Sequence, residues 1–415
     1  MQKRSAVYKF RIVSILLLTA AFLVCGALFC GCTEVRAQAD VTEEAAGSGA
    51  APHIAVKIEE DNISRVMSSM TLREKIGQLF IIRPDTLGGS VQNLTKEGMA
   101  LYTSYPAGGF CLFARNIADP QQLKSFTSQL HGLGDRFQPI LTIDEEGGPV
   151  VRIAANSRFD VPRFPAMGKL TAAGDPPEVR RLASFECGKA IGTYLKEYGF
   201  DLDFAPVADV NTNPHNPVIG TRAYSSDPLT AADLVGAACA GLHEGGSGSC
   251  LKHWPGHGDT KTDTHKGRAS TAKTWEEILD CEAIPFRAGI DAGTDMVMVS
   301  HIAAPAVTGS DEPASLSHVL ITEKLRRELG YEGVVITDAL DMGAVSYYYS
   351  PGEAAVQAFL AGADILLMPS DYFEAFDAMV AAVNDGTIPK ERLDESVRRI
   401  LQLRLSLTAL SQNSL

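Results

Sequence analysis

Eight short apolar runs punctuate the chain, at residues 78–82, 109–113, 139–143, 200–204, 249–251, 296–299, 334–337 and 365–368. Each closes on polar or glycine-rich residues. Between them lie stretches with apolar positions at helical spacing, at 177–198, 231–244, 275–292, 317–329 and 351–361. A strand that is apolar at every position is covered on both faces, and parallel neighbours need a helical crossover between them. Eight such units over roughly 350 residues predict an α/β fold, a (β/α)8 TIM barrel forming a single catalytic domain from 54 to 415. Thr71-Leu72-Arg73-Glu74 has the form of a helix-starting capping box, and residues 389–405 read as a closing amphipathic helix.

An open doubly wound sheet is the competing arrangement. Asp144, Asp209, Lys252 with His253, Ser300 with His301, and Asp338 follow the ends of five different runs. A barrel brings all of these to one face, whereas an open sheet works mainly at one crevice. The spread of polar residues therefore favours the barrel.

Composition narrows the partners. The 415 residues are 45% hydrophobic and 21% charged, with a formal net charge of −13. That acidity argues against nucleic acid, whose phosphates need basic clusters. Residues 1–32 read as an export segment: Lys3, Arg4, Lys9 and Arg11 precede an uncharged, mostly apolar run from 12 to 32. Losing those four basic residues and no acid would take the formal charge from −13 to −17. Its end reads in three ways. Leu28 to Cys32 resembles a lipobox with Cys32 as the lipidated residue, although Phe29 departs from the usual pattern. Ala37-Gln38-Ala39 is a plain signal-peptidase site, and the run is also long enough to span a bilayer uncleaved. All three export the domain to the cell envelope, on the periplasmic or extracellular face. Residues 33–53 read as a flexible tether. Five cysteines lie beyond the export segment, an odd number without a C-x-x-C pair, and are expected to be small apolar residues rather than a disulfide framework.

The densest chemistry lies in Lys252-His253-Trp254-Pro255-Gly256-His257-Gly258-Asp259-Thr260-Lys261-Thr262-Asp263-Thr264-His265. So many titratable groups, interrupted by proline and glycine, predict a polar active-site loop rather than core. Asp263 two residues before His265 can orient the imidazole and raise its basicity. Asp338 directly after an apolar run suits a rigidly placed nucleophile, or an N-cap for a following helix. Asp144, ahead of Glu145, Glu146 and the Gly147-Gly148 pair, can accept two hydrogen bonds from neighbouring hydroxyls. Arg152 and Arg222 can donate in a fixed fork, although an isolated arginine is more often a surface ion pair.

Together these motifs resemble family 3 glycoside hydrolases, in their bacterial β-N-acetylglucosaminidase branch. The resemblance runs from about 54 to 405 and is carried by Ile143 to Gly148, Asp203 to Asp209, the His-rich block and Thr337-Asp338-Ala339-Leu340. It implies a retaining exo-β-N-acetylglucosaminidase with no cofactor, acting on muropeptides or chito-oligosaccharides. Asp338 would form the covalent glycosyl-enzyme, His265 would be the acid/base and Asp263 its partner. Asp144, Arg152, Arg222, Lys252 and His253 would hold the hydroxyls of N-acetylglucosamine. The usual retaining pair is two carboxylates about 5 Å apart, whereas here an imidazole replaces one. A neutral base repels an anion less than a carboxylate does, so a phosphorylase is the nearest alternative, with a β-glucosidase beside it. Trp254, Pro149 and Gly267-Arg268-Ala269 depart from the family's commoner residues and bear on leaving-group preference. His253, His257, Asp259, Asp263 and His265 could also suggest a metal-dependent hydrolase, but their spacing matches no standard ligand motif. A catalytically dead sugar-binding barrel would lack Asp338 or His265.

Overall fold

The computed structural model describes residues 62–88, 90–134, 136–170, 174–264 and 267–413. The expected export segment, tether and His265 lie outside the described residues. Eight strands form one parallel sheet: β1 Phe80–Ile82, β2 Gly109–Leu112, β3 Ile140–Ile143, β4 Leu202–Asp203, β5 Gly248–Trp254, β7 Met296–Val299, β9 Val334–Thr337 and β10 Leu366–Leu367. The other two, β6 Ala269–Ser270 and β8 Ile302–Ala303, pair with each other. The large sheet runs β10-β1-β2-β3-β4-β5-β7-β9. Its ends meet where Ile336 pairs with Ile365 and the Thr337 N–H donates to the Ile365 carbonyl at 3.0 Å. The sheet is therefore a closed eight-stranded barrel, and each expected apolar run supplies one strand.

Each residue of these eight strands is buried, which explains the unbroken apolar runs. Burying one such Val, Leu or Ile side chain stabilises by about 1.5–3 kcal/mol. The helices Pro177–Glu197 and Pro228–Glu244 cover the sheet with an unusually close seam. A Cβ on Gly241 would lie 2.1 Å from the Phe185 carbonyl oxygen, and one on Gly188 would lie 2.5 Å from that of Ala238. Beneath β10, the Asp364 carboxylate takes Arg326 at 2.5 Å, Ser396 at 2.5 Å, Arg399 at 3.1 Å and the Val335 N–H at 3.0 Å. It ties the closing helix Lys390–Asn413 to the seam of the barrel.

Two details differ from the sequence reading. The helix expected over 275–292 is two helices, Trp275–Leu279 and Ala283–Asp291. Pro285 has no N–H for the carbonyl of Cys281, so a continuous helix would leave that carbonyl unpaired there. The block from Lys252 is not wholly a loop: Lys252, His253 and Trp254 belong to β5, and residues 251–258 are all buried.

The glycine pair after β3 is a steric requirement. Gly148 has φ +60°, and a Cβ there would lie 2.4 Å from Ala166 Cα. Gly148→Ala should therefore lose about 2 kcal/mol or more of stability, read as a lower urea midpoint. A midpoint equal to that of the unsubstituted protein would show that the turn relaxes freely.

Candidate active site

A cavity of about 330 Å³ opens where the strands end. Arg83 lines it after β1, Cys111 and Phe113 at the end of β2, Asp144 and Glu146 after β3, and Phe204 after β4. Lys252 and His253 come from β5, Met298 from β7, Asp338 and Ala339 follow β9, and Leu367 and Met368 complete the ring at β10. It is the carboxyl-terminal mouth of the barrel, where barrel enzymes keep their chemistry. A second cavity, about 450 Å³, lies by Pro139, Ile140 and Asp201, where β3 and β4 begin. There His131 at 3.0 Å and the Leu141 N–H at 2.7 Å already meet the Asp201 carboxylate.

One wall of the mouth is a charge cluster. Lys252 Nζ lies 2.8 Å from Asp144 Oδ1 and 2.6 Å from Glu146 Oε1. Arg152 reaches Asp144 Oδ2 at 3.2 Å. Arg222 grips Glu146 in a fork, Nε at 2.8 Å and Nη2 at 2.7 Å. The Lys252 and Glu146 side chains are only 2% and 3% exposed, so these charges survive burial because they are paired. Burial alone would raise the Glu146 carboxyl, yet Lys252 and Arg222 hold it well below the usual glutamate range. Burial would likewise lower Lys252, and Asp144 and Glu146 outweigh it, keeping the ammonium charged.

Strand alternation sorts the three acids after β3. Asp144 and Glu146 face the cavity, while Glu145 points away. Glu145 accepts the N–H groups of Arg152, Ile153 and Ala154 at 2.6, 3.0 and 2.8 Å and the Tyr194 hydroxyl at 3.0 Å. It thus fixes the loop that presents Arg152. The Arg152 Nε is buried with no hydrogen-bond partner among the described residues.

Asp209 organises the next sector. Its Oδ2 accepts from His253 Nδ1 at 2.7 Å, and its Oδ1 accepts the His257 N–H at 2.6 Å. Despite burial, the neighbouring His253 keeps the Asp209 carboxyl below its usual range. A carboxylate only accepts, so Nδ1 carries the proton and Nε2 of His253 remains for a ligand. His257 is also buried and lines the cavity. Its Nδ1 lies 2.7 Å from Thr260 Oγ1 and its Nε2 3.3 Å from Thr264 Oγ1, and burial lowers its pKa.

Asp338 leaves β9 with its N–H on the Val299 carbonyl at 2.8 Å, and its Oδ1 accepts the Ala339 N–H at 2.8 Å. The next helix is Gly343–Ser346, with Met342 at its N-cap. The N-cap alternative for Asp338 is therefore not what the chain uses. Met368, at the end of the neighbouring β10, has φ +45°, a left-handed backbone that costs about 1 kcal/mol for a residue with a Cβ. It is held by its own N–H on Ile81 and by the Asp341 N–H on its carbonyl, at 2.9 and 3.1 Å.

The structure thus brings Asp144, Arg152, Arg222, Lys252, His253 and Asp338 to one cavity. Asp263 is half-buried on the segment leading to Thr264, which lines the same cavity, and His265 follows outside the described residues. Ser300 and His301 lie behind the mouth: His301 Nε2 donates to the Ala339 carbonyl at 2.8 Å, and Ser300 bonds the Trp254 carbonyl at 3.0 Å. Sequence reading missed Glu146 as a cavity residue, although its two-residue spacing from Asp144 carried the signal. It also missed the pair of Arg83 and Asp341, 2.5 Å apart on the rim, which no local pattern links. The cysteines Cys111, Cys187, Cys239 and Cys250 are buried and free, and Cys281 is half-buried.

A closed parallel barrel whose strand ends gather paired acids, cations and histidines in one small cavity defines a barrel enzyme. The family follows from comparison with known proteins. The model of the glycosyl hydrolase family 3 N-terminal domain matches residues 71–403, and the chain belongs to that family of glycoside hydrolases. It is 34% identical over 342 residues to beta-hexosaminidase A of Pseudoalteromonas piscicida, covering 77% of this chain and 56% of that protein. It is 33% identical over 300 residues to a beta-hexosaminidase of Pseudomonas aeruginosa, covering 72% and 86%. Among solved structures, the family 3 beta-N-acetylglucosaminidase of a Paenibacillus species matches with a TM-score of 0.76 at 37% identity, covering 82% of this chain and 63% of that one. The chain thus spans little more than half the length of the first of these relatives.

Proposed function

We propose that this protein is a retaining exo-β-N-acetylglucosaminidase that removes terminal β-linked N-acetylglucosamine from muropeptides or chito-oligosaccharides. The observation that carries this is the cavity itself. At about 330 Å³ it has room for one sugar residue, with Asp338 on one side and the Asp144, Glu146 and Lys252 cluster on the other. The relatives named beta-hexosaminidase support the choice of an N-acetylhexosamine.

In this reading Asp144, Arg152, Arg222, Lys252 and the Nε2 of His253 hold the ring hydroxyls. That fixes the anomeric carbon against Asp338, whose carboxylate attacks and forms a covalent glycosyl-enzyme. His265 gives a proton to the leaving oxygen, and Asp263 steadies the imidazolium. Free histidine has a pKa of about 6.5, so the same ring can then take a proton from the incoming water. His265 is the next residue along the chain from Thr264, which lines the cavity. The basic and apolar pattern of residues 1–32 supports export to the cell envelope, outside the inner membrane.

The test is turnover of p-nitrophenyl N-acetylglucosaminide and of the matching glucoside, each with and without phosphate and with EDTA. The N-acetylated substrate should be preferred by at least about 10²-fold, with no effect of phosphate or EDTA. Equal turnover of the two would overturn the substrate, and a phosphate-dependent rate with sugar 1-phosphate as product would make the enzyme a phosphorylase.

A further inference from the structure

We propose that Arg83, held by Asp341, recognises the C6 hydroxymethyl group of the N-acetylglucosamine in the cavity. The inference rests on the hydrolase reading above and adds a specificity-determining pair to it.

The strand order lays two axes across the mouth of the barrel. Asp338 follows β9 and Asp144 follows β3, four strands apart in a closed ring of eight, so they stand on opposite sides. Arg83 follows β1, and Lys252 and His253 lie on β5, again four strands apart. A pyranose with its anomeric carbon at Asp338 points C4 toward Asp144, and its two long edges face β1 and β5. Lys252 reaches Asp144 from the β5 side, so these two hold neighbouring hydroxyls, which in this sugar are those at C3 and C4. The C2–C3 edge then faces β5, and the C5–C6 edge faces β1.

Arg83 is fixed in three ways. Its carbonyl accepts the Thr86 N–H at 3.1 Å, its Nη2 donates to Asp341 Oδ2 at 2.5 Å, and its guanidinium carbon lies 5.5 Å from the centroid of the Phe113 ring. Asp341 is fixed in turn, by its N–H on the Met368 carbonyl at 3.1 Å and by Ser346 Oγ on its own carbonyl at 3.0 Å. Both side chains line the cavity and are about a quarter exposed. The turn that carries Asp338 does not need the pair. It is already pinned by backbone bonds to Val299, Leu367 and Met368 and by His301 on the Ala339 carbonyl. Among the described residues, Nε and Nη1 of Arg83 and Oδ1 of Asp341 make no hydrogen bond. Donors and an acceptor side by side match a hydroxyl, which accepts from one and donates to the other. Because both groups are already ordered, binding the hydroxymethyl group loses little side-chain freedom.

The test compares three p-nitrophenyl donors: the N-acetylglucosaminide, its 6-deoxy analogue and its 3-deoxy analogue. The unsubstituted enzyme should prefer the parent donor to the 6-deoxy one by about tenfold to a hundredfold in kcat/KM. Arg83→Met should reduce that preference to about twofold or less, by slowing the parent donor and leaving the 6-deoxy donor nearly unchanged. The preference over the 3-deoxy donor should persist. Asp341→Asn, which leaves Arg83 in place with a weaker tether, should reduce the 6-hydroxyl preference by a smaller factor, and it carries the test alone if Arg83→Met does not fold. A purely structural pair would lower all three donors alike, and unchanged ratios in both variants overturn the inference. So does an unsubstituted enzyme that is indifferent to the 6-hydroxyl, or a variant that loses the 3-hydroxyl preference instead. If the unsubstituted enzyme turns over none of the donors, the hydrolase reading itself fails and takes this inference with it.

Discussion

Asp338→Ala is expected to lower kcat/KM for an N-acetylglucosaminide by about 10⁴-fold or more, because the proposed covalent route would be lost with its nucleophile. The protein should remain folded. Asp338 does not cap the helix that follows, which starts at Gly343, and its side-chain bond to the Ala339 N–H is local. Removing an acid from the cavity mouth also removes a negative charge from a site already holding Asp144 and Glu146. Thermal stability should therefore be unchanged or slightly higher. Azide added to the variant should restore turnover of an activated aryl substrate and yield a glycosyl azide of inverted anomeric configuration, since a small anion can occupy the emptied side of the sugar. Near-normal turnover by Asp338→Ala would remove it as the nucleophile. A loss of activity that tracks a loss of folded protein would make its role structural.

The barrel was legible in the sequence because strands buried on both faces are mostly apolar runs, with few polar positions to disguise them. The site was legible in part. Asp144 and Asp338 stand directly after strands, where the topology leaves only one destination for a side chain. Lys252 and His253 were harder: their charge reads as loop, yet they lie inside β5 and are buried. What permits this is pairing with Asp144 and Glu146, which follow β3, and with Asp209, which follows β4. Such partners lie 40 or more residues away, and spacing along one chain does not reveal them. The β6–β8 ladder was missed because two-residue strands are too short to show any period. The Gly-Ala seam between the helices at 177–197 and 228–244 shows the opposite case. Its composition lowers helical amphipathicity in the sequence, yet Gly188, Gly192 and Gly241 are each set by a backbone carbonyl of the facing helix within reach.

Lys252→Met should cost about 3 kcal/mol of stability and most of the activity. The stability term comes from the carboxylates it leaves behind. Lys252 is the contact shared by Asp144 and Glu146, and methionine fills the same volume without the charge. Arg222 still holds Glu146 and Arg152 still holds Asp144, which is why the loss falls at the lower end for a broken buried pair. The pH dependence has a definite sign. Glu146 is held below its ordinary value of 4.5, so its contribution is complete above that pH and is lost as the solution is acidified through the lower, folded value. Lys252 is held above its ordinary 10.5, so its contribution is complete below that pH. Across neutral pH both charges are present, and the deficit in Lys252→Met should appear in full. Adding Glu146→Gln to it removes one of the stranded carboxylates and should recover about 1–2 kcal/mol, a coupling that a double-mutant cycle reads directly. Activity should not return with it, because the ammonium proposed to donate to the sugar is still missing. A single variant as stable as the unsubstituted protein would mean that the cluster does not depend on Lys252. A double variant that regained activity would mean that Lys252 serves the fold and not the substrate.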